Sequence, residues 1–326
     1  MRRRTFVVSA AGAALATTTP TAAPALAADP LPPALGARFP GMERGYWRGG
    51  RPRSGFHRHL DTLRAYGVGL VRVDVARPGS ERRRGGQRAG HPYHQRLSTL
   101  LDAAAARGVD VLLTLHDSPA WARPGASSRD ASARFSDGPG AITSWARWMA
   151  ATYGDRVYAW EVRHEPDLPG TTGVHRPAER AARCAALLTA CSAGLRSGHP
   201  SAVVVLGGPR RADHRFVRDV YAAGARDHFD VLALRPGPPG GVQDVTDFPA
   251  VAEAMRAYRD GDKPVWWTEL GSGEPARAFE LARTHCPQVR LGVVDPGASV
   301  PQWAGLRDYF SRHDGHRDPL GVRPTA

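Results

Sequence analysis

The sequence contains almost no lysine, and this absence limits how its positive charge can be interpreted. Lys263 is the single lysine among 326 residues, so the formal net charge of +13 comes from arginine. The arginines are scattered rather than gathered on one helix or arm, which argues against a nucleic-acid interface. Abundant arginine, alanine, glycine and proline are typical of a GC-rich genome. The one basic cluster, Glu81–Gly86, is interpreted as a solvated loop.

Cysteine is also scarce, and the three cysteines do not form a metal-binding pattern. Cys184 and Cys191 lie seven residues apart in a helical pattern, which separates them by about 10 Å along the helix axis. That distance is too long for a disulfide. We favour buried thiols, and the pairing of one of them with Cys286 stays open. The pair His57-x-His59 is expected on a surface helix, so no metal is predicted.

Two further absences narrow the function. After residue 27 no run is apolar enough to span a membrane, so no membrane anchor is expected in the mature chain. No glycine-rich phosphate loop follows an early strand, which argues against a dinucleotide-binding fold. The sequence therefore predicts no cofactor.

The first residues form a targeting segment. The run Arg3-Arg4-Thr5-Phe6-Val7 fits the twin-arginine pattern, and Ala25-Leu26-Ala27 resembles a signal peptidase site. An ordinary Sec signal is the alternative. No cysteine lies near the cleavage site, which argues against a lipoprotein. We predict a twin-arginine-type signal peptide over 1–27, a secreted protein, and one domain over 28–326.

Short β-branched runs alternate with amphipathic helical runs along that domain. The expected strands are one within Gly36–Trp47, then Val68–Val75, Val109–Leu115, Tyr158–Val162, Ala202–Leu206, Asp230–Leu234, Pro264–Thr268 and Val289–Val294. The expected helices are His57–Tyr66, Gln95–Arg107, Ile142–Tyr153, Ala178–Ser197, His214–Ala225, Ala250–Tyr258, Pro275–Thr284 and Gln302–Ser311. Eight βα units predict a single-domain α/β protein, a (β/α)₈ TIM barrel, with a doubly wound sheet as the alternative.

Polar residues gather where the predicted strands end. They are Arg72, Asp74, His116, Asp117, Glu165, Arg235 and Glu269. In a (β/α)₈ barrel the carboxyl ends of the strands form the functional face. Two of these residues, Glu165 and Glu269, follow aromatic-rich runs that Pro166 and Gly271 soon end. Paired carboxylates at one site are the groups that cleave glycosidic bonds.

Two motifs carry a family resemblance, which runs from about Leu63 to Trp303. They are Trp160-Glu161-Val162-Arg163-His164-Glu165-Pro166 and Trp266-Trp267-Thr268-Glu269-Leu270-Gly271. Together they resemble the clan A retaining glycoside hydrolases, in the branch similar to family 39 and cellulase-like proteins. The resemblance implies a (β/α)₈ barrel, with Glu165 as acid/base on strand four and Glu269 as nucleophile on strand seven.

Other segments fit the same resemblance, and some depart from it. Arg72 on strand two is implied to support the nucleophile, and the segment Thr114–Ala122, which contains Trp121, looks like the family's strand three. The family usually has Asn before the acid/base, where this chain has His164. The family's H-x-Y element on strand six is replaced by Arg235-Pro236-Gly237, and strand eight has no aromatic residue.

The candidate substrate-binding residues each have a structural alternative. They are Arg72, His116, Trp121, His164, Trp267 and Arg235. His164 either donates to the sugar or packs beside Glu165, and Arg235 either binds an acidic group or forms an ion pair. Trp266 and Trp267 alternate along a strand, so at most one of them faces the barrel interior. Glu161 is expected to point away from the site.

The sequence thus predicts a secreted retaining β-glycoside hydrolase that acts on a polysaccharide or oligosaccharide by double displacement. The alternative is a catalytically impaired carbohydrate-binding protein on the same barrel, motivated by the changed elements on strands six and eight. In either case the expected partner is a carbohydrate rather than a nucleic acid, and a monomer is the default expectation.

Overall fold

The structure is a computed structural model of the chain. It describes residues 31–48, 50–117, 119, 139–169, 174, 176–236, 242–270, 274–295, 300–313 and 318–320. The predicted signal peptide and Trp121 lie outside these residues.

Eight parallel strands form a closed barrel, and a helix follows each of them. The strands are β1 Ala34–Arg38, β2 Leu70–Ala76, β3 Asp110–His116, β4 Ala159–Val162, β5 Val204–Leu206, β6 Val231–Leu234, β7 Val265–Leu270 and β8 Val289–Val294. The helices are α1 Ser54–Ala65, α2 Pro92–Ala105, α3 Pro139–Tyr153, α4 Pro177–Gly198, α5 His214–Ala222, α6 Val242–Ala257, α7 Pro275–His285 and α8 Val300–Ser311. A two-residue hairpin ladder, Trp47–Arg48 with Arg51–Pro52, precedes α1, and a helical turn, Arg77–Ser80, follows β2.

The first and last strands close the sheet. β1 pairs with β2 on one side, with Ala37 opposite Val71, and with β8 on the other, with Leu35 opposite Gly292. The run Val289–Val294 is therefore the eighth barrel strand. The single-domain (β/α)₈ barrel predicted from the alternating pattern is confirmed.

Helix ends follow the signals in the sequence. Asp213 caps α5, because its carboxylate accepts hydrogen bonds from the backbone N–H groups of Arg215 at 3.0 Å and Phe216 at 3.2 Å. Gly67 and Gly108, at the ends of α1 and α2, have φ values of +87° and +61°. Glycine adopts this left-handed conformation without steric strain, so the chain can turn from each helix into the next strand.

The core has two layers that follow from alternation along the strands. Small and branched side chains such as Leu112, Ala159 and Val205 fill the barrel interior. A larger layer between strands and helices contains residues such as Trp160, Leu232 and Trp267. Trp266 faces the interior and is fully buried, whereas Trp267 faces the helices. This agrees with the prediction that at most one of the two faces inward.

The three cysteines are buried, and none of them forms a disulfide with another in the described part of the chain. Cys184 and Cys191 lie on α4, and Cys286 follows α7. The arginines of the basic cluster, at 82–84, are exposed, while Glu81 is buried against Arg77 with Nε and Oε2 2.7 Å apart. No helix in the described part of the chain is long and apolar enough to cross a membrane.

Candidate active site

Polar side chains from several strands meet inside the carboxyl end of the barrel. The deepest of them is Glu161 on β4, which is completely buried. It accepts hydrogen bonds from Arg72 Nε at 2.7 Å, from Thr114 Oγ1 at 2.6 Å and from Thr268 Oγ1 at 2.8 Å. Three donors from three strands satisfy its carboxylate, as a buried charge requires. The expectation that Glu161 points away from the site is wrong.

The alternation along β4 explains the position of Glu161. Trp160 and Val162 pack in the outer layer, so Glu161 between them faces the barrel interior. The sequence did contain a signal for this inward orientation, because Glu161 is a charged residue between two apolar residues on a predicted strand.

Arg72 links this buried carboxylate to the mouth of the barrel. Its guanidinium group lies 3.5 Å from Asp74 and 3.9 Å from Glu269. Its Nη2 lies 3.3 Å from Nδ1 of His164. Burial disfavours its charge, but Glu161 and Asp74 outweigh that effect and raise the pKa of Arg72. Arg72 is therefore held chiefly by Glu161, and its contact with Glu269 is the longest of the three.

Glu165 reaches the mouth through an unusual turn. β4 ends at Val162, and both Arg163 and Glu165 then have left-handed backbone conformations, with φ values of 72° and 46°. Such φ values in residues other than glycine cost about 1–3 kcal/mol each and are concentrated at functional sites. The turn packs against Gly207, where an added Cβ would overlap the carbonyl oxygen of Arg163.

Glu269 faces the same opening because β7 carries a bulge. Trp267 pairs with Gly292 and Leu270 with Val294, so three steps on β7 match two steps on β8. Trp267 and Leu270 both pack in the outer layer, and the two residues between them turn inward. Burial raises the pKa of Glu269, and the nearby guanidinium groups of Arg235 and Arg72 offset only part of that rise.

Arg235 bridges the two glutamates. It follows β6, and its Nη1 pairs with Oε1 of Glu165 while its Nη2 lies 3.0 Å from Oε1 of Glu269. Glu165 has a second cationic partner, Arg210, whose Nε lies 3.2 Å from the same oxygen. Arg235 therefore forms ion pairs, which was one of the two roles expected for it. The two carboxylates lie on either side of one guanidinium group.

His164 stands between the same carboxylates. Its Nε2 lies 3.7 Å from Oε2 of Glu165 and 3.4 Å from Oε2 of Glu269, which places these two oxygens at most about 7 Å apart. Burial, followed by the positive charges of Arg72 and Arg235, lowers the pKa of His164 to about 3. The ring is therefore neutral near pH 7. Because Arg72 donates to Nδ1, the ring proton lies on Nε2 and faces both glutamates.

Asp74 and His116 lie at the rim of the same opening. Asp74 pairs with Arg38 at 3.0 Å, and His116 Nδ1 lies 3.1 Å from Asp117 Oδ2. Burial raises the pKa of Asp74, but Arg72, His116 and Arg38 outweigh burial and leave that pKa lowered. The opening is lined by both carboxylate and cationic groups.

Five of the predicted site residues come together with Glu269, and one that the structure describes, Trp267, does not. Arg72, His164 and Arg235 contact Glu269, and Arg235 also contacts Glu165. His116 lies close enough to influence the pKa of Asp74 and of His164. Trp267 is 4% exposed in the layer between barrel and helices, so its ring does not line the opening. Trp121 lies outside the described residues. Among the residues that the structure describes, no three His, Cys, Asp or Glu side chains are grouped to hold a metal ion.

No protein-family model matches the chain, and no curated protein matches it either. Solved structures do resemble it. A family 39 glycoside hydrolase from the gut symbiont Bacteroides cellulosilyticus superposes with a TM-score of 0.59 at 17% identity. That match covers 83% of this chain and 58% of the other, so the chain spans less than two thirds of that relative.

Two further glycoside hydrolases match over more of their own length. A family 39 β-xylosidase from Caulobacter crescentus matches with a TM-score of 0.62 at 16% identity, covering 89% of this chain and 76% of the other. A family 5, subfamily 18 protein from Streptomyces cattleya, solved in complex with GlcNAc, matches with a TM-score of 0.62 at 18% identity, covering 89% and 83%. At these identities the similarity shows a shared barrel fold.

Proposed function

We propose that this barrel is a retaining β-glycoside hydrolase that acts on an oligosaccharide or polysaccharide. The observation that carries the proposal is the placement of Glu165 and Glu269 around one histidine nitrogen and one guanidinium group. Retaining enzymes hold their two carboxyl groups about 5–5.5 Å apart. The upper bound that His164 sets for this pair, about 7 Å between two oxygens, is compatible with that spacing.

In the proposed mechanism Glu269 attacks the anomeric carbon while Glu165 protonates the leaving oxygen. Glu165 then removes a proton from the water that hydrolyses the glycosyl–Glu269 ester. The neutral His164 directs its Nε2–H toward both carboxylates and toward the space where the sugar would bind. The buried Glu161 holds Arg72 so that the guanidinium group stays beside Glu269.

Arg235 must move for this mechanism to operate. Two guanidinium groups, those of Arg210 and Arg235, stabilise the ionised form of Glu165, whereas the first step needs its protonated form. Entry of a sugar between the carboxylates would displace Arg235 from Glu165. Glu165→Gln is expected to lower turnover by roughly 10²–10⁴-fold, the usual contribution of a general acid–base group.

The same bridge favours a second candidate, a carbohydrate-binding protein that does not hydrolyse its ligand. If Arg235 stays between the glutamates when sugar is bound, neither carboxylate can react. In that case the barrel would bind glycans through the same opening.

A mechanism-based label separates the two candidates. A 2-deoxy-2-fluoro glycoside of the bound sugar should trap a covalent glycosyl ester on Glu269, located by peptide mass spectrometry. Glu269→Gln is the matched control and should remain unlabelled. Saturable glycan binding without any label on the native protein would support the binding protein and refute hydrolysis.

We also propose that the protein is exported through the twin-arginine pathway. The support is the sequence of residues 1–27 alone, with its Arg3-Arg4 pair. Replacing both arginines by lysine should stop export of the native chain, because that pathway requires the arginine pair. Unchanged export of the double variant would indicate the Sec pathway instead.

A further inference from the structure

An arginine-rich cavity lies directly beside Glu165. It has a volume of about 590 Å³, and its lining includes Arg210, Arg211, His214 and Arg215. This volume falls within the roughly 300–1,000 Å³ that is usual for small-ligand sites. Arg210 belongs to both places, since it lines the cavity and its Nε lies 3.2 Å from Glu165. The side chain of Arg210 therefore connects the cavity to Glu165.

Backbone hydrogen bonds hold three of the arginines together. Arg210 and Arg235 form an isolated parallel bridge above β5 and β6, and the N–H of Arg211 donates to the carbonyl of Arg235 at 2.9 Å. Arg211 and Ala212 are both left-handed, with φ values of 55° and 47°. This short ladder holds the backbone of the cavity arginines beside that of Arg235, the residue that bridges Glu165 and Glu269.

Two of the cavity arginines have no carboxylate partner among the described residues. Among the described residues, no carboxylate lies within 4.0 Å of the guanidinium group of Arg211 or Arg215, and both side chains are exposed. Guanidinium groups bind carboxylate and sulfate oxygens through paired hydrogen bonds, so unpaired ones at a cavity are suited to an anionic ligand.

The acidic residues of the cavity are largely occupied. Asp213 is the cap of α5 and accepts two backbone N–H groups. Asp167 accepts the N–H of Arg210 at 3.0 Å, and burial raises the pKa of its carboxyl group. Asp247 is the remaining acid in the lining. The lining thus holds three aspartates beside three arginines, and its side chains that can donate to an anionic ligand without first leaving a carboxylate include Arg211 and Arg215.

We propose that this cavity is a subsite for an acidic sugar, one that carries a carboxylate or a sulfate. This inference deepens the proposed function, because it assumes that a glycan occupies the opening above Glu165 and Glu269. The sugar's anionic group would lie between Arg211 and Arg215 and would also attract Arg210. The basic composition favours encounter with an acidic polymer, although Arg2, Arg3 and Arg4 of the predicted signal peptide contribute three charges to the formal net charge of +13.

The test uses oligosaccharides in matched acidic and neutral forms. Oligouronides are compared with their methyl esters, and sulfated oligosaccharides with their desulfated forms, so that only the charge differs. Binding to the whole protein is measured by calorimetry, and product release is measured separately by chromatography. We expect at least one acidic form to bind about tenfold or more tightly than its neutral partner, with a preference that weakens as salt increases.

Variants then assign the preference to the cavity. The double change Arg211→Gln and Arg215→Gln should remove most of the preference for the acidic form while leaving binding of the neutral form unchanged. Arg218→Gln, which removes an exposed arginine of the same helix outside the cavity lining, is the matched control and should keep the preference. Whether the uronide or the sulfated series shows the effect identifies the anionic group.

Several outcomes would overturn the inference. These are no binding of any acidic form, equal binding of acidic and neutral forms, or a preference that survives the double substitution. Hydrolysis of neutral glycans but of no acidic glycan would also overturn the proposed subsite, and it would leave the proposed glycosidase intact. Tight binding of an acidic glycan without any hydrolysis would keep the subsite and refute the hydrolase.

Discussion

Arg72 and Glu161 form an ion pair in the middle of the barrel, with Nε of Arg72 2.7 Å from Oε2 of Glu161. The side chain of Arg72 is 2% exposed and that of Glu161 is fully buried. Thr114 and Thr268 complete the coordination of the carboxylate. The pair lies directly beneath Glu269 and His164, because Arg72 contacts both. The pair therefore forms the bottom of the proposed site.

Removing the charge of Glu161 should destabilise the protein strongly. Glu161→Gln leaves Arg72 as a buried cation with its main partner gone, and breaking a buried pair in this way costs about 3–5 kcal/mol. Urea denaturation should show this loss in the free energy of unfolding. Glu253→Gln removes an exposed partner of Arg256 on α6 and should change that free energy by about 0–1 kcal/mol. Equal effects of the two changes would contradict the role given to Glu161.

The acid limb of the pH–activity profile should depend on Arg235. Glu269 must be ionised to act as nucleophile, and burial raises the pKa of its carboxyl group above the ordinary value of 4.5. Arg235 lowers that pKa, so Arg235→Gln should move the acid limb of kcat/KM to higher pH. Arg256→Gln, which acts far from the opening, should leave the limb in place. A limb that moves to lower pH in Arg235→Gln would refute this assignment.

His164 should remain neutral across the physiological range. Burial and the charges of Arg72 and Arg235 lower its pKa to about 3. Its ring signals in NMR spectra, identified by their loss in His164→Asn, should therefore not shift between pH 5 and pH 8. Titration of these signals near pH 6.5 would mean that the ring is solvated and charged.

The lowered pKa of His164 also affects stability. As the pH falls below 6.5, the imidazole takes up a proton in the unfolded state before it does so in the folded state, which favours unfolding. The free energy of unfolding should therefore decrease on acidification from pH 6.5. His164→Asn should show a smaller decrease over the same interval, measured by urea denaturation at several pH values.

The cysteines should react only when the protein unfolds. Burial raises the pKa of both Cys184 and Cys191 to about 12, so the reactive thiolate is scarce at neutral pH. A thiol-reactive disulfide reagent should modify none of the three cysteines in the native protein and all three in denaturant. Rapid native labelling at Cys184 or Cys191 would show that these two thiols on α4 are not buried.

Local pattern was enough to predict most of the fold. Alternating strand and helix runs indicated eight units, and glycines after α1 and α2 marked where helices give way to strands. Boundaries moved by one to a few residues at most elements. The largest change is at α6, which begins at Val242 rather than near Ala250, with Pro249 inside the helix. A proline within a helical run is weak evidence for a helix start, because tertiary packing can retain the preceding turns.

The site was predicted less completely than the fold. The sequence alone indicated that Glu165, His116 and Arg235 lie at or just after the ends of buried strands and that Glu269 lies near the end of one, because hydrophobic runs and the turns that end them are local features. Arg72 was expected at a strand end too, but it lies in the first half of β2. The tertiary structure decided which face of each strand lines the barrel interior, because that depends on how the sheet closes. Closure buried Glu161 beneath the opening and turned Trp267 toward the helices. The bulge on β7 aimed Glu269 inward, and the meeting of β5 with β6 placed Arg210 and Arg235 against Glu165. Contacts between residues 70 to 107 positions apart depend on the geometry of the whole barrel, which no local pattern encodes.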